Sequence, residues 1–132
     1  MNLEGNWNYP TLVRFGAGRI AELPQACATL GIEAPLLVTD PGLAKLPMIA
    51  KAVSLCTRAG LKCEVFSELQ PNPVEENVTK GVAAYKAGKH DGVIAFGGGS
   101  ALDVGKAIAL MVGQNRSIFD FEDREDWYTR VN

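Results

Sequence analysis

Three times between residues 34 and 112, a short apolar run gives way to a longer stretch whose apolar positions return every three or four residues. Ala34–Thr39, Lys62–Phe66 and Gly92–Phe96 are the short runs, of strand length and with little polar alternation. Such strands are covered on both faces, as in parallel sheets flanked by helices. The longer stretches read as helices. Leu43–Ala59 is broken or restarted at Pro47, Val74–Ala87 carries Val74, Val78, Val82 and Tyr85 on one stripe, and Ala101–Val112 completes the series. Gly31, Gly60 and Gly88 stand near the preceding helix ends, where a left-handed closing residue belongs. Upstream, Tyr9–Gly16 alternates enough for an edge strand, and Gly16 and Gly18 make a turn. Ile20–Leu30 follows as a helix, with Pro24 tolerated near its start. Strands and helices in alternation imply right-handed crossovers. The predicted fold is α/β, a doubly wound, mostly parallel sheet with helices on both faces and an N-terminal edge strand or hairpin.

Residues 114–132 change character. Gln114–Ser117 is a polar break, Ser117–Phe121 is long enough for one helical turn, and Glu122–Asp126 is a charge run. Ala101–Val112 is interrupted only by Asp103 and Lys106, and a helix apolar nearly all round is buried on more than one side. The 132 residues make one domain, 1–132. A formal charge of −2 offers no electrostatic footprint for nucleic acid or an anionic membrane. No apolar run reaches bilayer length, and Met1–Trp7 lacks the basic-then-apolar order of a secretory signal. Cys27, Cys56 and Cys63 are odd in number and form no Cys-x-x-Cys pair, which suits reduced thiols in the cytoplasm. His90 is the sole histidine and the cysteines are scattered, so no zinc-ligand spacing exists. His90 falls in a helix-to-strand connection and reads as a loop residue.

The chemistry concentrates in residues 91–106. The strand Val93–Phe96 runs into Gly97, Gly98 and Gly99, then Ser100, then a helix. Residues without side chains let a bulky ligand approach the main chain, and free N–H groups at a helix start form an anion site. A nucleotide phosphate is the natural occupant. The spacing is neither the dinucleotide fingerprint, because Leu102 stands where its last glycine belongs, nor a Walker-type loop. A tight turn is the competing reading for Gly97–Gly99. For Ser100 and Asp103 it is a capping box, Ser-x-x-Asp, that satisfies orphan N–H groups.

Two further loops share the carboxyl edge of the predicted sheet, where open α/β sheets bind ligands. Asp40 ends the first of the three repeated strands, in Thr39-Asp40-Pro41-Gly42. It either accepts from the ribose hydroxyls of an adenosine and repels a 2′-phosphate, favouring NAD over NADP, or serves an Asp-Pro-Gly turn. Asn72-Pro73 with Glu75 and Glu76 is a complete helix start by itself.

Together, Gly97-Gly98-Gly99-Ser100-x-x-Asp103-x-x-Lys106, Val38-Thr39-Asp40, Pro71-Asn72-Pro73 and Phe15-Gly16-x-Gly18 resemble the iron-containing (group III) alcohol dehydrogenases. The match runs the length of the chain with its motifs in order. Gly105 departs from it, since the family commonly has alanine there, a change that bears on packing more than binding. The resemblance implies a Rossmann-like domain holding NAD(P), with Gly97–Ser100 and Asp103 on the pyrophosphate side, Asp40 near the adenosine ribose and Asn72 beside the cofactor. It also implies Fe²⁺ or Zn²⁺ bound by an aspartate and three histidines of a C-terminal helical domain, which lines the cleft for a small alcohol or aldehyde. No ligand for that metal lies in these residues. The family's next cofactor motif would follow just after Asn132, so the chain resembles the front of such an enzyme, cut inside its cofactor domain. That implies no turnover and at best weak NAD affinity for this chain by itself. The alternatives are a stand-alone nucleotide- or phosphate-binding module without redox activity, and a homo-oligomer built through an exposed sheet edge and apolar helix.

Overall fold

A computed structural model describes residues 10–122, 124 and 127–131. Its sheet has three parallel strands, β1 (Pro35–Val38), β2 (Glu64–Phe66) and β3 (Gly92–Ala95), in the order β2-β1-β3. Leu36 is in register with Glu64 on one side and Val93 on the other. β1 is central, and its four residues are all buried. That placement explains the unbroken apolar run, because neither face of a central parallel strand meets water.

Helices cover both faces. Leu36 and Val38 pack with Phe66, Val78, Val104 and Ile108 beneath α3 (Glu75–Ala87) and α4 (Gly99–Met111). Leu37 points the other way, onto Ile49 and Ala52 of α2 (Pro47–Arg58) and Leu23 of α1 (Leu23–Thr29). Each fully buried aliphatic side chain contributes about 1.5–3 kcal/mol. Of the predicted stripe on α3, Val78, Val82 and Tyr85 join the core, whereas Val74 is half exposed. The break at Pro47 is real: a 3-10 turn, Leu43–Lys45, precedes α2, which begins at that proline.

Four expectations are corrected. Residues 10–16 enter no strand, and Leu12, Val13 and Phe15 are 77%, 75% and 93% exposed. Alternation alone does not make an edge strand, and these residues add to neither β2 nor β3, the two edges of the sheet; Tyr9, the first residue of that segment, lies outside the described residues. Ile20–Leu30 divides into a 3-10 turn, Arg19–Glu22, and α1, with Pro24 in the first turn of α1. Gly31 and Gly60 close their helices with φ of 71° and 86°, but Gly88 does not; Lys89 takes the left-handed conformation, φ 53°.

The fourth correction is His90, which is a buried residue and not a plain loop one. Its Nδ1 lies 3.0 Å from the Ala34 carbonyl and its Nε2 3.4 Å from a Glu64 carboxylate oxygen. Its ring occupies the space a side chain at Gly88 would need. Asp91 beside it accepts the N–H groups of Glu33 and Ala34 at 2.9 and 2.8 Å, pinning the start of β1 to that of β3. The expected helical turn forms as a 3-10 turn at Ile118–Phe121, with Ser117 outside it as the cap, and part of the charge run 122–126 lies outside the described residues.

Candidate functional site

At the carboxyl ends of β1 and β3 the chain leaves the sheet in opposite directions, and a cleft opens between them. After β3, Gly97 adopts φ 149°, a conformation side chains disfavour. A β-carbon there would stand 3.0 Å from that of Ala101 and 3.2 Å from Leu43 Cδ1. Gly97 is therefore required by the fold itself. Gly98 and Gly99 differ: nothing lies within 4 Å of where their β-carbons would be, and both are exposed. Gly98 has an extended backbone, φ −81° and ψ −167°, that any residue can adopt. Neither local packing nor backbone strain accounts for glycine at these two positions.

Helix α4 starts two residues earlier than its sequence predicts, at Gly99 with Gly98 as the N-cap and no side-chain cap. The first helical bond runs from the Leu102 N–H to the Gly98 carbonyl, 3.1 Å. The N–H groups of Gly99, Ser100 and Ala101 thus precede the ladder. The capping-box reading of Ser100 and Asp103 fails for the same reason: Ser100 is already inside the helix. Asp103 is exposed and pairs with Lys106 at 3.6 Å. The open helix start, with its dipole, presents three N–H donors to an anion.

Asp40 stands two residues past the end of β1 and faces this loop. Its Oδ1 accepts the N–H groups of Gly42 and Leu43, both at 2.9 Å, so the predicted Asp-Pro-Gly turn is formed. Oδ2 lies 3.6 Å from the β-position of Gly97. Asp40, Pro41 and Gly42, with Leu69, Gln70 and Pro71 after β2, and Gly98, Gly99, Ser100 and Ala101, line one cavity of about 580 Å³. That volume falls in the range of small-molecule sites.

Of the predicted residues, Asp40, Gly98, Gly99 and Ser100 meet in this cavity and Gly97 lies against Asp40. Asp103 lies elsewhere, on a groove with Pro73, Val74 and Phe119. Asn72 is exposed at φ 53° next to the lining residue Pro71. It does not cap α3, which begins at Glu75 with Val74 as its N-cap. Asn77 does that work, accepting the Val74 N–H at 2.9 Å and donating to the Glu68 carbonyl at 3.3 Å. Leu69 and Gln70 escaped the sequence reading, which followed glycine and charge and so passed over an ordinary Leu-Gln pair.

The family model for iron-containing alcohol dehydrogenase matches residues 10–131. The chain belongs to that family. Among curated relatives, choline dehydrogenase of Bacillus subtilis is 34% identical over 113 residues, covering 86% of this chain and 28% of its own length. The 4-hydroxybutyrate dehydrogenase of Cupriavidus necator is 32% identical over 123 residues, covering 93% and 32%. A solved sulfoacetaldehyde reductase from Bifidobacterium kashiwanohense, in complex with NAD+, superposes with TM-score 0.81 at 25% identity, over 92% of this chain and 32% of that one. A 1,3-propanediol oxidoreductase gives 0.77 at 31% identity, over 80% and 28%. The chain spans less than a third of the length of these relatives.

Proposed function

We propose that this chain is the dinucleotide-binding part of a metal-dependent NAD(P) alcohol dehydrogenase, selective for NAD, and that residues 1–132 form its N-terminal nucleotide-binding domain. The observation that carries this reading is the empty space over Gly98 and Gly99 directly above the unladdered start of α4. There a diphosphate can sit on main-chain donors with no side chain between. Asp40 lines the same cavity, with Oδ2 toward the glycine loop, and this supports assigning it to the adenosine ribose. Asn72, next to the lining residue Pro71, belongs beside the cofactor, whereas Asp103, on a separate groove and paired with Lys106, is given no contact with the diphosphate.

When bound, the nicotinamide accepts or donates the hydride exchanged with a small alcohol or aldehyde. The chain's own residues position it: Gly98–Ala101 fix the diphosphate, Asp40 fixes one ribose, and the apolar floor of Leu69 and Ala101 keeps water from beneath. Among the described residues no group of three His, Cys, Asp or Glu side chains could hold a metal ion. The residues do not fit the Fe²⁺ or Zn²⁺ of the whole enzyme, and no step through a metal is assigned to them. Among them no helix is long and apolar enough to cross a membrane. Three free thiols suit a cytoplasmic setting.

Calorimetric titration with NADH, ADP and inorganic phosphate tests this reading. Saturable binding that prefers NADH supports it, with no metal-dependent alcohol oxidation by the chain alone. Binding of ADP with no gain from the nicotinamide half points to a phosphate- or nucleotide-binding module instead.

A further inference from the structure

Gly42 adds no side chain to the cavity, yet it governs the carboxylate that does. Its backbone, φ −70° and ψ −51°, is ordinary helical geometry open to any residue. The constraint on Gly42 is its neighbour: a β-carbon there would stand 3.1 Å from Asp40 Oδ1. The same oxygen takes the Gly42 and Leu43 N–H groups at 2.9 Å each. Those two donors take up the acceptor capacity of Oδ1. Only Oδ2 is left for a ligand, and it is directed toward the glycine loop, 3.6 Å from the Gly97 β-position.

Pinning matters for selection. A freely rotating carboxylate turns away from a 2′-phosphate and tolerates it, whereas a fixed one must face it. Repulsion built into a rigid group is what excludes the wrong ligand. We propose that Gly42 is a positioning residue for dinucleotide choice: its bare α-carbon and its N–H hold Asp40 toward the ribose, where a 2′-phosphate would meet an immobile charge. This rests on the ribose role given to Asp40 above.

The test is fluorescence titration of the full 132-residue chain with NADH and NADPH, alongside thermal melts, for the unmodified protein, Asp40→Asn, Gly42→Ala and Gly42→Val. The unmodified chain should favour NADH by about tenfold or more, and Asp40→Asn should remove most of that ratio. Gly42→Ala should lower the ratio about threefold and Gly42→Val further, because a larger side chain displaces the carboxylate more. A fold defect alone would weaken both dinucleotides equally and leave the ratio unmoved. If Asp40→Asn shifts the ratio and Gly42→Ala does not, the role of Gly42 is overturned while the ribose reading survives. If Asp40→Asn leaves the ratio unchanged, or neither dinucleotide binds the unmodified chain, both are overturned. Should Gly42→Val fail to fold, Gly42→Ala decides.

Discussion

Gly105 of α4 rests on Ala95 of β3 so closely that a β-carbon at 105 would come 2.7 Å from that of Ala95. This contact sets how near α4, and with it the glycine loop, lies to the sheet. Gly105→Ala adds helix propensity worth about 1 kcal/mol but overpacks a buried contact at a cost of about 1–3 kcal/mol. We expect the variant to melt a few degrees lower, and the double variant Gly105→Ala/Ala95→Gly to recover most of the loss. Circular-dichroism melts decide it. A single variant as stable as the parent would show that α4 is free to lift.

The sequence made the three strand-helix units legible because central parallel strands admit no polar face, as Leu36, Leu37 and Val38 illustrate. It placed Asp40 beside the glycines because both follow neighbouring strands of one sheet. What it could not show depended on partners distant along the chain. His90 is buried because the Ala34 carbonyl, 56 residues away in sequence, and the bare Gly88 make a place for it. The cysteines look scattered in sequence, yet the fold gathers them: burial raises the Cys63 thiol most, and the nearby Cys56 and Cys27 raise it further. The start of α4 is not legible locally, because Ser-x-x-Asp mimics a capping box while the actual boundary, at Gly98 and Gly99, follows the turn at Gly97.

Those thiols should be slow to react. Burial raises all three, and Cys63 is pushed up to about 12. The thiolate is the reactive form, so an aromatic disulfide reagent at neutral pH should label the native protein far more slowly than the denatured one. Immediate labelling of Cys63 in the native state would contradict this burial.

Asp91 predicts a pH dependence. The Glu33 N–H, and after it that of Ala34, hold its carboxyl below the ordinary 3.8. A depressed carboxyl stabilises the fold fully above its unfolded value and loses that contribution as pH falls through the folded one. Stability of the parent should therefore fall below about pH 4 more steeply than that of Asp91→Asn. Parallel acid-unfolding curves would mean that the link between Asp91 and the start of β1 contributes nothing.

The most direct test is NADH titration of Gly98→Ala beside the unmodified chain. The new methyl meets no protein atom within 4 Å and requires no strained backbone, so the melting midpoint should move by less than about 2 °C. A diphosphate lying on that main chain would meet the methyl directly, and affinity should drop about tenfold or more, roughly 1.4 kcal/mol. Equal NADH affinity in the two proteins would contradict a ligand held on the bare amides of this loop.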